Sequence, residues 1–149
     1  MVKLLDFGLV KPINDSTSLT IDGMVTGSPF YLSPEQAIGT SPSDQRSDIY
    51  SLGAVMYFLL TRRPPFCDEQ TLQLLLAHVH RQPTALTEFN SDVSSELEAT
   101  VLRCLAKDVD DRFASACELG EALRSCPEWG EWDAETAAEW WQSKFVDAY

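Results

Sequence analysis

Residues 47 to 65 read SDIYSLGAVMYFLLTRRPP, and within them Ile49 to Leu60 form the longest apolar run of the chain, interrupted only by Ser51 and Gly53. A membrane-spanning helix needs about 20 such residues, whereas a run of about 10–14 fits a buried core helix. Ser47 or Asp48 stands where an N-cap is wanted, and Arg62, Arg63, Pro64 and Pro65 supply the stop. The apolar residues surround the axis instead of forming one stripe, which predicts a helix in the middle of a folded domain.

Working outward, Ser33-Pro34-Glu35 has a capping serine, a proline at the first helical position and an acid in the first turn, so a short helix is predicted through Ile38 with Gly39 as its stop. Downstream, Glu69 to His80 carries Leu72, Leu75, Leu76 and Val79 at helical spacing, a surface helix with that face buried and Leu74 off it. His78 and His80, two apart, share no face and are expected at the surface. Ser95 to Glu98 and Ser115 to Glu118 both match the S-x-x-E capping box and open two further helices. Between them, Lys107 to Phe113 is a charged turn. Asp133 caps a last helix whose stripe of Ala134, Ala137, Ala138, Trp141 and Phe145 is expected to dock on the domain, after a short linker from Cys126 to Glu131. Val2 to Leu5 reads as a short strand, and residues 9 to 28 as a long surface loop. Loops of that length without structure of their own are uncommon, and usually functional or disordered.

The chain has 149 residues, 23 of them acidic and 11 basic, for a net charge of −12, with 44% hydrophobic residues. One globular domain is expected. Phosphate-backbone recognition needs a basic footprint, so the acidity argues against nucleic acid and against acidic membranes as partners. The four cysteines form no CxxC pair and suit a reducing cytoplasm. Met1 to Leu5 runs straight into Asp6, too short for the apolar core of a signal peptide.

Three clusters then fall into order: Asp6-Phe7-Gly8; Gly27-Ser28-Pro29-Phe30-Tyr31-Leu32-Ser33-Pro34-Glu35; and Asp48-Ile49-Tyr50-Ser51-Leu52-Gly53, followed by Arg112. In that order and spacing the sequence resembles the protein kinases, most closely the bacterial serine/threonine kinases of eukaryotic type, with D-F-G at 6–8 and Ser33-Pro34-Glu35 where A-P-E is usual. The resemblance implies a mainly α fold: the helical C-terminal lobe of the protein kinase-like fold, with one short N-terminal strand, a long activation loop and no N-lobe. Residues 1–125 would be a partial kinase domain and residues 126–149 a tryptophan-rich tail helix.

The resemblance also assigns roles. Asp6 would hold magnesium, oriented by Phe7 packing beneath it and by the turn at Gly8. Thr20 is the first candidate for regulatory phosphorylation and Ser18 another, with Asp22 partly supplying a fixed charge. Gly27, Ser28 and Pro29 would shape the substrate pocket, the Ser28 hydroxyl favouring serine/threonine over tyrosine specificity. Glu35 and Arg112 would form a buried ion pair, and Asp48 would hold the catalytic loop from the start of the central helix. The glycine-rich loop, nucleotide lysine and H-R-D-x-x-x-x-N loop of a working kinase are expected to be missing, leaving no catalytic residue in this chain. The implied cofactors are ATP and Mg2+ in the complete domain, with none bound tightly here. The implied partners are a protein substrate and the remainder of the kinase. A pseudokinase-like binding module and a purely structural helical domain are the alternative readings. The all-round apolarity of residues 49–60 further predicts a chain that is marginally stable or sticky alone.

Overall fold

The computed structural model describes residues 28–39, 44–130 and 132–145. Within them the chain forms six α-helices: α1 (Pro34–Ile38), α2 (Gln45–Thr61), α3 (Thr71–His80), α4 (Ser95–Cys104), α5 (Ala116–Arg124) and α6 (Ala134–Phe145). Single 3-10 turns at Pro29–Tyr31, Leu86–Glu88 and Val109–Asp111 complete the set. The strand expected at Val2 to Leu5 and residues 9 to 27 of the surface loop expected over 9 to 28 lie outside the described residues.

The helix boundaries follow local chemistry. Ser33 caps α1 in a full capping box: its hydroxyl accepts from Gln36 N–H, and the Gln36 side chain accepts from Ser33 N–H at 3.0 Å. Gly39, at φ 69°, ends the helix in the left-handed conformation and donates its N–H to Glu35 O. α2 begins earlier than expected. Its cap is Asp44, accepting from Arg46 N–H at 2.7 Å, and not Ser47 or Asp48. Likewise Ser94, not Ser95, caps α4, accepting from Leu97 N–H. Ser115 caps α5, but the Glu118 carboxylate reaches Ala114 N–H instead of the cap's own.

α2 packs on α4 so closely that a Cβ on Gly53 would lie 2.5 Å from Cys104 Cβ. Tyr50, Ala54, Tyr57, Leu86, Val93, Val101 and Leu105 form the main core, joined below by Ile49, Cys104, Phe113 and Leu119. Among the described residues the central helix is buried on one side, so it does not lie in the middle of the domain as its apolar pattern predicts, and part of its apolar surface is left uncovered. Ile49, Tyr50, Gly53, Ala54, Tyr57 and Thr61 face the core, whereas Leu52, Val55, Phe58 and Leu59 are exposed, Leu59 to 70%. Among the described residues, α4 and the 3-10 turns at 29–31 and 86–88 cover α2 from one direction.

Two further expectations change. The face of α3 turned inward is Leu74, Ala77 and His78, while Leu72 and Leu76 are exposed. Both stripes have helical spacing, and the contact of Phe66 and Phe30 with Leu74 and Ala77 selects the one containing a histidine. α6 does form, with Thr136 N–H donating to Asp133 Oδ1 at 2.8 Å, but Ala134, Ala138, Trp140 and Trp141 stay exposed and the helix does not dock its expected stripe.

Candidate functional site

The densest polar arrangement in the lobe surrounds Glu35 and Arg112, which lie 77 positions apart in sequence. The capping box of α1 fixes the first turn of that helix, and with it the direction of Glu35. Arg112 Nη1 and Nη2 donate to the two Glu35 carboxylate oxygens, each at 2.8 Å, a bidentate fork. The remaining donors are also used: Nε bonds Ala106 O at 2.9 Å, Nη1 bonds Arg46 O at 3.1 Å, and Nη2 bonds Lys107 O at 3.3 Å. A guanidinium has five N–H donors, so none is left unpaired in this buried position. Ser47 Oγ donates to Glu35 Oε1 at 2.7 Å, and the guanidinium lies 4.9 Å from the centre of the Tyr50 ring. Burial pushes the Glu35 carboxyl up, but the bonds from Arg112 and Ser47 outweigh it and hold the group at about 2.

This knot fastens the segment that precedes α1. Ser28 is exposed and extended, and Pro29–Tyr31 make one 3-10 turn closed by Tyr31 N–H to Ser28 O at 3.2 Å. Ser51 Oγ, one turn into the buried part of α2, donates to Tyr31 O at 2.8 Å. Phe30 packs with Phe66, Leu74 and Ala77. The turn is therefore held from α2 on one side and α3 on the other, with the Ser28 backbone facing water.

His78 links these two supports, and it is 0% exposed, contrary to the surface position expected for it. Its Nδ1 shares a hydrogen bond with Tyr50 Oη at 2.9 Å, and its ring meets Phe66 edge-on at 5.0 Å. Burial, with the Lys107 charge, pushes the imidazole down to about 4, while the nearby backbone of Pro29 and Phe30 acts in the other direction. Nε2 is buried beside that backbone and meets no partner within hydrogen-bond geometry among the described residues. Lys107 donates from Nζ to His78 O at 2.8 Å and stands 4.4 Å over the Phe66 ring. Burial and then the Arg112 charge pull that ammonium down to about 8.

The structure thus brings Glu35, Arg112, Ser28 and Pro29 into one framework. Asp48 is elsewhere, exposed in the first turn of α2 on the stripe of Leu52, Val55 and Leu59. Asp6, Phe7, Gly8, Ser18, Thr20 and Gly27 lie outside the described residues. Ser47, Tyr50, His78 and Lys107 were not anticipated. For His78 the signal was its place at i+4 from Leu74 and i+1 from Ala77, a stripe as regular as the one preferred. Among the described residues no three His, Cys, Asp or Glu side chains gather as a metal site, so no chemistry through a metal is derived from this geometry. What the arrangement provides is a platform that holds a half-buried turn with Ser28 exposed at its start.

Comparison with known proteins places this geometry in context. A model of the protein kinase domain matches residues 1–123. The chain is 43% identical over 118 residues to serine/threonine-protein kinase PknB of Mycobacterium leprae, covering 79% of this chain and 19% of that protein. It is 40% identical over 126 residues to a probable serine/threonine-protein kinase of Streptomyces coelicolor, covering 84% and 19% respectively. Against PknB of Mycobacterium tuberculosis it is 42% identical over 119 residues, covering 79% and 19%. The chain thus spans about a fifth of the length of these relatives.

Proposed function

Because this chain belongs to the protein kinase domain family, we propose that it is the acceptor-docking part of an ATP-dependent serine/threonine kinase and that these 149 residues alone transfer no phosphate. The observation that carries the reading is the bidentate Arg112–Glu35 fork, which with Ser47 and Ser51 fixes the half-buried Ser28–Tyr31 turn and leaves Ser28 at its start exposed. A turn held from both sides, with an exposed hydroxyl-bearing residue at its start, is suited to receive the backbone of a protein substrate. Positioning, more than covalent chemistry, is what phosphoryl transfer asks of a protein.

In this reading Asp6 holds Mg2+ and Phe7 and Gly8 set its orientation. Gly27, Ser28 and Pro29 border the acceptor, and Thr20 or Ser18 takes a regulatory phosphate. The sequence contains neither a G-x-G-x-x-G loop nor an H-R-D-x-x-x-x-N loop, so the acceptor hydroxyl has no carboxylate to orient it. The exposed stripe of Asp48, Leu52, Val55 and Leu59 supports the same view. An apolar band headed by a carboxylate fits the remainder of the kinase as its cover, with Asp48 bonding backbone N–H groups of the loop that lies on it. Each large apolar side chain left in water forfeits about 1.5–3 kcal/mol of burial, so the chain alone is expected to self-associate. We place it in the cytoplasm, where ATP is supplied and the four free cysteines stay reduced; no helix among the described residues is long and apolar enough to cross a membrane.

Two measurements test the proposal. The purified chain with Mg-ATP and a generic basic protein is expected to give no transfer; robust turnover overturns the claim of inactivity. A chimera in which residues 1–123 replace the matched segment of a PknB relative is expected to phosphorylate serine or threonine, and Asp6→Asn in that chimera to abolish it. A chimera that folds but is inert with Asp6 intact favours the non-catalytic binding module.

A further inference from the structure

The family match ends at residue 123, yet the chain continues into an ordered turn and a capped helix. Cys126 is buried, and the Glu128 carboxylate accepts from Ser94 N–H at 2.9 Å and from Ser94 Oγ at 3.0 Å, so the turn after α5 is clamped to the start of α4. From this anchor four indoles project. Trp129, Trp132, Trp140 and Trp141 are 42–59% exposed.

They are not loose. Trp132 and Trp140 meet edge to face with centroids 6.4 Å apart, and Trp140 and Trp141 do so at 5.1 Å. Edge-to-face contact orients these three rings relative to one another, and because it covers at most one face of one ring in each pair, π surface is left among the exposed indoles. Beside them, Glu128, Trp129, Gly130 and Trp132 line an open cavity of about 340 Å³. The surrounding charge is mainly negative: Glu128, Asp133, Glu135 and Glu139 neighbour the indoles in sequence, against Arg124 beside Trp129 and Lys144 in the last turn of α6. The π face of tryptophan attracts cations more strongly than that of any other side chain. One instance is already present, with the Arg124 guanidinium 5.7 Å over the Trp129 ring.

We propose that this tryptophan-lined, acidic surface is a docking site for a cationic protein segment, whose arginine or lysine side chains rest on Trp132 and Trp140 while the flanking carboxylates neutralise them. Charge selects this occupant. A second copy would bring two acidic faces together at a net charge of −12 per chain, and nucleic acid or an anionic bilayer would be repelled by the same field. Tryptophan and arginine are also among the residues enriched at the energetic hot spots of protein interfaces.

The test uses the full chain and an arginine/glycine peptide, followed by tryptophan fluorescence. Saturable binding is expected, weakening at least tenfold between low and high salt. In Trp132→Leu/Trp140→Leu the apolar bulk remains but the π faces go, and affinity should fall at least tenfold. Trp132→Phe/Trp140→Phe should lose less, and Glu135→Gln/Glu139→Gln should lower both affinity and salt dependence. Circular dichroism of each variant confirms that the lobe is intact. Equal binding of a glutamine/glycine peptide, unchanged affinity in the leucine double variant, preferential binding to anionic phospholipid vesicles, or self-association in sedimentation that the leucine double variant abolishes would each overturn the proposal.

Discussion

The described lobe buries Tyr50, Tyr57, Phe66, Phe113 and the Glu35–Arg112 pair, whereas α6, just as clearly capped and spaced as a helix, leaves its indoles in water. The contrast separates two things that a helical pattern is often taken to mean together. A cap and a periodic stripe specify that a helix forms; a partner surface specifies where it packs. In the lobe, long-range bonds such as Arg112 to Glu35 and Tyr50 to His78 supply that partner. In the tail, the clamp from Glu128 to Ser94 stops just before the helix starts. The lobe should therefore respond strongly to single substitutions and the tail hardly at all.

The largest effect is expected at Arg112. Arg112→Ala leaves the Glu35 carboxylate buried without its partner and should lower stability to urea by about 3–5 kcal/mol. Arg112→Lys should rescue little, because one ammonium cannot replace five planar donors that are all engaged. A loss below about 1 kcal/mol would mean that the knot does not hold the lobe together.

Acid should reveal the same core in two stages. With His78 folded at about 4 against an ordinary 6.5, the unfolded chain binds a proton that the folded chain refuses between those values. Stability from this group is therefore full above pH 6.5 and is lost as pH falls towards 4, on the order of 2–3 kcal/mol in all. Glu35, folded at about 2 against 4.5, adds a second loss as pH falls from 4.5 towards 2. Urea midpoints from pH 7.5 to 2 check this, and His78→Gln should flatten the upper stage only.

Next comes Gly53→Ala. The added methyl would sit 2.5 Å from Cys104 Cβ, an overlap that forces α2 and α4 apart. Overpacking of this kind costs about 1–3 kcal/mol, and the better helix preference of alanine returns up to about 1. A net loss of about 1–2 kcal/mol is expected by thermal melting. A more stable variant would show that the two helices give way more easily than the rest of the core.

These outcomes bear on what could be read before any coordinates. Ser33, Pro34 and Gly39 were legible because capping is local: three residues decide it. The caps at Asp44 and Ser94 were misplaced because Ser47 and Asp48, or two adjacent serines, offer equivalent oxygens, and only the fold chooses among them. The pairing of Glu35 with Arg112 came from family resemblance, since no periodicity connects positions 77 apart. His78 was missed for a related reason. The leucines of α3 fit two phases of one helix, and the choice between them rests on Phe66, Phe30 and the Tyr50 hydroxyl, all distant in sequence. The exposed side of α2 follows the same logic, as composition made it a core helix but the number of its covered faces is a property of the neighbours.

The smallest effect should come from removing residues 131–149. This deletion spares Glu128 and its bonds to Ser94, and it takes away a helix whose side chains are mostly exposed. Denaturant sensitivity tracks the surface buried on folding, so both the urea midpoint and the slope of the lobe transition should stay unchanged, within about 0.5 kcal/mol. The helical circular-dichroism signal should nevertheless drop. An unsupported helix shorter than about 12–15 residues is marginal in water, so what helix α6 contributes alone should already melt gradually, below the cooperative transition of the lobe. A shift of more than about 1 kcal/mol on deletion would mean that the tail shares the lobe's core, and the contrast between the two regions would then be one of degree.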